Sequence, residues 1–211
     1  MVQVLIGDLI AEVRTTLDEN STESSYLLND AQNISLDDII ESKIVESVRA
    51  VEESCPVWML SGEAMVASIA SNSDGSGRLS LPDDFLRIVA IKMTEWDTAV
   101  YSVENMGSQK ALMQKNKYVR GNVHKPVLVF AKDASGKRII EYYSVNSNAV
   151  IEIAVYVKIP SVITIEGSKY LNFPAILRQS IVSHCAGLVE VSRGNVELAK
   201  SFFQLSESHY N

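Results

Sequence analysis

The chain has 211 residues, 46% of them hydrophobic and 21% charged, with a formal net charge of −7. That is enough apolar material to bury a core, in one large domain or in a domain with an appendage. The negative balance argues against affinity for a nucleic-acid backbone, and no apolar run approaches the roughly 18–20 residues needed to span a bilayer.

The first twenty residues, MVQVLIGDLIAEVRTTLDEN, lack a basic start, carry Asp8 inside their apolar part and show no small-residue cleavage site. The expectation is a protein made and kept in a cytosol. Val2, Ile6, Leu9, Val13 and Leu17 recur at three- and four-residue steps, which predicts an amphipathic helix over 2–18. Residues 20–34 are polar apart from Tyr26, Leu27 and Leu28, which are expected to pin the connection to a core. Ser35 then precedes Asp38 by three, a variant of the capping box in which an acid replaces Glu or Gln. Ile40, Ile44, Val48, Val51 and Cys55 follow as one helical stripe. They predict a second helix over 36–54, closed by Pro56, which biases Cys55 out of the helical region.

From about 57 to 159 the period changes from 3.6 to 2. In VIEIAVYVK (150–158), Ile151, Ile153, Val155 and Val157 fall on one face and Glu152, Ala154, Tyr156 and Lys158 on the other. RIIEYYS (138–144) and VLVFAK (127–132) precede it across turn-forming residues, which predicts an antiparallel meander. EAMVASIA and RLSL, separated by SNSDGSG, predict a further hairpin. No long helix interleaves with these strands, which argues against a parallel sheet. Beyond them, Asn172 is placed to cap and Pro174 to open a helical stretch that reaches the end of the chain, with a break near Gly194. Leu177, Ile181, His184 and Leu188 mark its stripe, flanked by Val182, Cys185 and Val189.

The expected fold class is therefore α+β. An N-terminal helical part (1–56) packs with a C-terminal helical part (161–211), and an antiparallel β-sandwich or meander (57–160) is inserted between them in sequence. The stretch RLSLPDDFLRIVAI contains a corner. Leu81 ends a strand because a proline follows, and Pro82 sets the turn. Asp83 and Asp84 can accept from free backbone N–H groups, and Asp83 reaches Arg87 if one helical turn forms. Phe85 drops into the core. Adjacent carboxylates seldom converge on one substrate atom, so the corner is read as structural.

Other chemistry has no signature. His124, His184 and His209 show no metal-ligand spacing, and His184 and Cys185 are helix neighbours that point about 100° apart. DGSGR lacks the Lys-Ser/Thr of a phosphate-binding loop, and neither GxSxG nor GxGxxG occurs. The two cysteines form no CxxC, leaving open a single Cys55–Cys185 bridge. No catalytic residue, metal ligand or cofactor is expected.

Charge is unevenly spread. Residues 18–53 hold ten acids against Lys43 and Arg49. Residues 105–126, NMGSQKALMQKNKYVRGNVHKP, hold Lys110, Lys115, Lys117, Arg120 and Lys125 and no acid. SQKALMQK can form a short helix within this otherwise aperiodic segment. Long loops inside compact domains are more often functional or disordered than incidental. Lys110, Lys115, Lys117, Tyr118 and Arg120 are therefore the candidate partner interface, aimed at an acidic surface.

The order of these elements resembles the head–tail connector proteins of tailed bacteriophages, the adaptor or tail tubular protein A-like group. YLLNDAQNISLDDIIESKIVESVRAVEE (26–53) is similar to that family's LLxD element and the helix after it, with Leu27, Leu28 and Asp30 matching. LPDDFLRIVAI (81–91) resembles its LPxDFLR strand corner. Residues 125–160 look like its closing strands, with Tyr156 shortly before Pro160, and 171–210 like its C-terminal helix, with Ala199 and Phe202 in an Ala-x-x-Phe tail. The likeness lies in order and pattern along nearly the whole chain. It implies a structural virion protein, made in the bacterial host cytoplasm, that forms a homo-oligomeric ring, twelvefold by family resemblance, between the portal protein and the tail or next neck protein. DNA would pass through without specific binding, and no membrane, enzyme activity or cofactor is implied. Two other classes stand beside it: a soluble β-sandwich domain that binds a peptide or small ligand, and an enzyme whose site leaves no motif.

Overall fold

The computed structural model describes residues 2–18, 35–145 and 149–210. In chain order the strands are β1 (Val2–Leu5), β2 (Glu63–Ala64), β3 (Ile69–Ser71), β4 (Ser76–Ser80), β5 (Phe85–Met93), β6 (Val127–Lys132), β7 (Arg138–Tyr143), β8 (Ile151–Lys158), β9 (Ile163–Ile165) and β10 (Ser168–Phe173). The helices are α1 (Ile6–Thr16), α2 (Leu36–Ser54), α3 (Gln109–Met113), α4 (Arg178–Arg193) and α5 (Val196–Ser208). Contacts divide the chain into two units: one joins 1–61 to 159–211, and the other is 62–158. The α+β class holds, with a β-rich unit inserted into a helical one.

In the helical unit, α2 forms as its sequence dictates. The Ser35 hydroxyl accepts from the Asp38 N–H and the Asp38 carboxylate accepts from the Ser35 N–H, both at 3.2 Å, so two otherwise orphaned donors are satisfied. Ile40, Ile44, Val48, Val51 and Cys55 are all buried, and Cys55 turns extended before Pro56. The connection carrying Tyr26, Leu27, Leu28 and Asp30 lies outside the described residues.

The predicted helix over 2–18 is shorter than expected. Residues 2–5 are a strand, antiparallel to β10 with Val2 opposite Phe173 and Leu5 opposite Tyr170. Val4, off the predicted stripe, is buried, while Val2 is exposed. Pairing with a strand far along the chain overrides a weak local helical pattern.

The C-terminal part is likewise not all helical. β9 and β10 form a hairpin whose two turn residues, Glu166 and Gly167, both take positive φ, and with β1 they make a three-stranded sheet in the order β1-β10-β9. Asn172 therefore lies within β10 instead of capping a helix, and Pro174 precedes a short 3-10 turn at Ala175–Leu177 that leads into α4. The Glu-Gly pair between Ile-Thr-Ile and Ser-Lys-Tyr is the local hairpin signal.

α4 lies at the centre of the helical unit. Ile181, Val182, Cys185, Ala186 and Val189 are buried, whereas His184 and Leu188 on the predicted stripe are only half-buried. Its packing on α1, α2 and α5 buries it around most of its circumference and moves the innermost face toward the flanking residues. A Cβ on Gly187 would meet Phe203 Cε1 at 2.6 Å, so any larger residue there would have to displace the Phe203 ring of α5. The break falls at Gly194, in the left-handed region with φ 83°. Arg178 grips Glu12 of α1 with both carboxylate oxygens, its Nε at 3.0 and 3.1 Å, and the Ser206 hydroxyl donates to the Ser180 carbonyl at 2.8 Å.

The β-rich unit holds two antiparallel sheets, β2-β8-β5 and β3-β4-β7-β6, that share one core containing Leu79, Phe85, Ile91, Leu128, Ile140 and Tyr156. The β3–β4 and β6–β7 hairpins form as expected. The meander does not continue, because β8 pairs with β5 and β2 and not with β7. Glu63-Ala64 also joins the sheet of β8 rather than the β3–β4 hairpin. β8 does not bury one clean face: Ala154 and Tyr156 are buried on one side and Val157 on the other, while Ile153 is 39% exposed. Register shifts along the β5–β8 pairing break strict alternation. The phenol of Tyr156 finds Asp84 at 3.0 Å, which satisfies its polar end at the core boundary.

Candidate functional site

Two regions carry the residues singled out from sequence, both in the β-rich unit. At the corner, Leu81 is buried and the Phe85 N–H donates to the Pro82 carbonyl at 3.2 Å, closing a tight turn. The Phe85 ring is buried between Tyr156, stacked at 6.1 Å between centroids, and Phe130, edge-on at 6.1 Å. Arg138 lies 5.9 Å over the same ring and donates to the Phe85 carbonyl at 3.3 Å.

The two carboxylates part company. Asp83 points to solvent and pairs with Lys137 at 3.1 Å, while Asp84 accepts from the Tyr156 hydroxyl, whose pKa is raised by burial and then by this carboxylate. The helical turn on which an Asp83–Arg87 contact is conditional does not form, because β5 begins at Phe85. Arg87 is in β5, where strand geometry carries it away from the turn. The two carboxylates thus serve separate local contacts.

The segment 105–126 is held from inside by residues that charge-based reading passes over. α3 begins at Ser108, whose hydroxyl accepts from the Ala111 N–H at 3.1 Å. Ala111 is buried against Val127 and Val129. Gln114, also buried, donates to the Lys110 carbonyl and accepts from the Gly121 N–H, both at 2.8 Å, tying the segment's two ends together.

The five bases then divide. Lys110 pairs with Glu104 at 2.9 Å and lowers that carboxyl's pKa. Arg120, mostly buried, binds the Asp74 carboxylate at 3.2 Å and the Asp74 carbonyl, and so locks onto the β3–β4 turn. Asp74 is held below the usual carboxylate range first by its bonds from Ser76 and then by Arg120. Lys115, Lys117 and Lys125 have no ion-pair partner among the described residues. Lys117 sits 5.0 Å over the Tyr118 ring. Tyr118 is 83% exposed, and Leu112, Met113 and Val119 are exposed beside it. The structure thus leaves Lys115, Lys117 and Tyr118 on an apolar, basic surface and takes Arg120 and Lys110 into local pairs. A five-residue helix that buries only Ala111 must present Leu112 and Met113 outward, which was the available signal for those two.

Elsewhere, His184 and Cys185 diverge as helix neighbours must. The imidazole packs on Phe203 at 5.0 Å and burial lowers its pKa, while the Cys185 thiol donates to the Ile40 carbonyl at 3.8 Å. Burial pushes that thiol up to about 12, and both cysteines are free and buried, so the bridge left open by the sequence does not form. Glu52 is 2% exposed, and burial pushes it up to about 7. His124 pairs with Asp97. Among the described residues, no three of His, Cys, Asp and Glu converge to hold a metal ion, and no helix is long and apolar enough to cross a membrane.

The fold defines a class: a discontinuous helical unit carrying an inserted two-sheet β unit. Protein-family models match no part of the chain, and no curated protein matches it at a significant level.

Proposed function

We propose that the chain is a structural subunit of the neck of a tailed bacteriophage or prophage, one copy in a ring between portal and tail. In this reading it is not an enzyme. It acts by continuing the DNA channel and by presenting docking surfaces. Two things support this: the order of motifs along the sequence, and a chain plan in which both ends contribute to one helical unit and a β unit is inserted between them in sequence. The observation that carries it furthest is the surface of α3 and the residues after it. Exposed Leu112, Met113, Tyr118 and Val119 stand among Lys115 and Lys117, which have no ion-pair partner among the described residues, on a segment fixed in place by Gln114. Aromatic and aliphatic anchors rimmed by charge are the anatomy of a protein interface, and a backbone already tied down costs less to order on binding. An acidic chain gives passing duplex little to grip.

Inactivating the gene in a phage or prophage that carries it tests the reading. The expected result is DNA-filled heads that lack tails, with tails assembled separately. Normal tailed particles in normal yield would refute it.

A further inference from the structure

β6 is an edge strand of the four-stranded sheet, and among the described strands it pairs only with β7. Its outer side is partly used. Residue 104 makes a one-residue parallel bridge there: the Glu104 N–H donates to the Leu128 carbonyl at 2.8 Å, and the Phe130 N–H donates to the Glu104 carbonyl at 2.9 Å. Backbone groups of a strand alternate in direction. The Phe130 carbonyl and the Lys132 N–H therefore point the same way, outward, just past the place where Glu104 stops pairing. Neither has a partner among the described residues. They open into a groove of about 430 Å³ whose apolar walls include Phe85, Met106, Phe130 and Ala131 and whose rim carries Lys132 and Arg138. No carboxylate lines it.

We propose that this edge is a β-addition site for an extended, carboxylate-bearing segment of a partner protein. The segment's backbone would bond to the Phe130 carbonyl and the Lys132 N–H, one row of apolar side chains would enter the groove, and its acids would meet Lys132 and Arg138. An unpaired edge supplies direction-specific hydrogen bonds, and alternate pockets read every second side chain. The positive rim with no compensating acid selects an acidic strand. Neither Lys115 nor Lys117 lines this groove, and the inference goes beyond the neck reading and needs no ring.

The test uses the full chain and a synthetic peptide of alternating aspartate and valine, followed by fluorescence anisotropy. Saturable binding is expected, weakened by salt, with a lysine–valine counterpart binding far less. Lys132→Pro deletes the donor without touching the β7 ladder, where an edge proline is tolerated, and should weaken binding about tenfold. Met106→Glu, in the groove wall, should do at least as much. Amide exchange gives a reading that survives a misfolded variant: the Lys132 amide of the unmodified protein should exchange freely alone and be protected with peptide. No saturable binding at millimolar peptide overturns the proposal. So does equal binding of the basic peptide, a Lys132 amide already protected in the free protein, or self-association without peptide that Lys132→Pro abolishes, which would make a second copy the occupant.

Discussion

The acidic stretch of α2 and the basic segment 105–126 look like mirror images in sequence, yet the fold treats them differently. On the helical unit, Asp37 meets Arg14 at 2.6 Å, Glu46 meets Lys43 at 3.1 Å, Glu53 meets Arg49 at 3.0 Å, Glu41 meets Lys169, and Asp38 is spent on the cap. Such surface pairs add little stability, but they leave α2 with little free charge to offer. On the β-rich unit, Lys115 and Lys117 have no such partner among the described residues and stand among exposed apolar side chains. A run of like charge in a sequence is therefore only a candidate surface. Opposite charges from the same element, such as Lys43 and Arg49, and from others, such as Arg14 and Lys169, decide whether it becomes one.

The largest expected effect lies under the neutralised face. Val48 is fully buried in the α2 seam, so Val48→Asp should cost several kcal/mol and leave the helical unit unfolded. Lys43→Glu, on the outer face of the same helix, should cost less than about 1 kcal/mol, the worth of one exposed pair. Comparable melting temperatures for the two would reverse the assignment of faces.

Glu52 extends the comparison inward, to an acid in α2 that the fold buries. Its folded-state pKa of about 7 lies above the ordinary 4.5, so the folded protein holds this proton more tightly than the unfolded chain. The Glu52 contribution to stability should be fully present below about 4.5, fall as pH rises to about 7, and level off above that. The swing is of order 3 kcal/mol. Glu52→Gln should flatten it, raising the melting temperature at pH 8 and changing it little at pH 4. His184, whose pKa is lowered by burial, acts in the opposite sense and is lost as pH falls below 6.5, so only the difference between variant and parent isolates Glu52. An equal shift at both pH values would assign the effect to packing.

Within the basic segment, Arg120→Ser should cost about 1 kcal/mol because it frees Asp74 and the β3–β4 turn. The double change Lys115→Ser with Lys117→Ser should leave the melting temperature unchanged. On the proposed neck role it should weaken assembly or attachment to a partner, and salt should weaken the same step in the parent. A double variant that assembles like the parent would make these lysines a solvated surface.

Much of this was legible. Ser35, Asp38 and the stripe through Cys55 define α2 because capping and periodicity act within a few residues. The corner at Leu81–Phe85 was readable for the same reason, as were the break at Gly194 and the short helix in 105–126. What was hidden depends on distant pairing. Residues 2–5 read as helix until β10 claims them, Asn172 reads as a cap until it lies in that strand, and Ala154 takes the inner face of β8 only through the shifted register with β5. The candidate surface followed the same rule. Its lysines were visible by composition, but the capture of Arg120 by Asp74 and the clamp of Gln114 across Lys110 and Gly121 are tertiary facts that charge counting cannot supply.

The central claim, that this chain is a structural subunit of a phage neck, is tested most directly by locating it in particles. Tailed particles purified from cells carrying the gene would be labelled with gold-conjugated antibody against the chain and imaged by electron microscopy. Label should concentrate at the junction of head and tail. Label absent from intact particles, with the chain recovered only in the particle-free fraction, would contradict it.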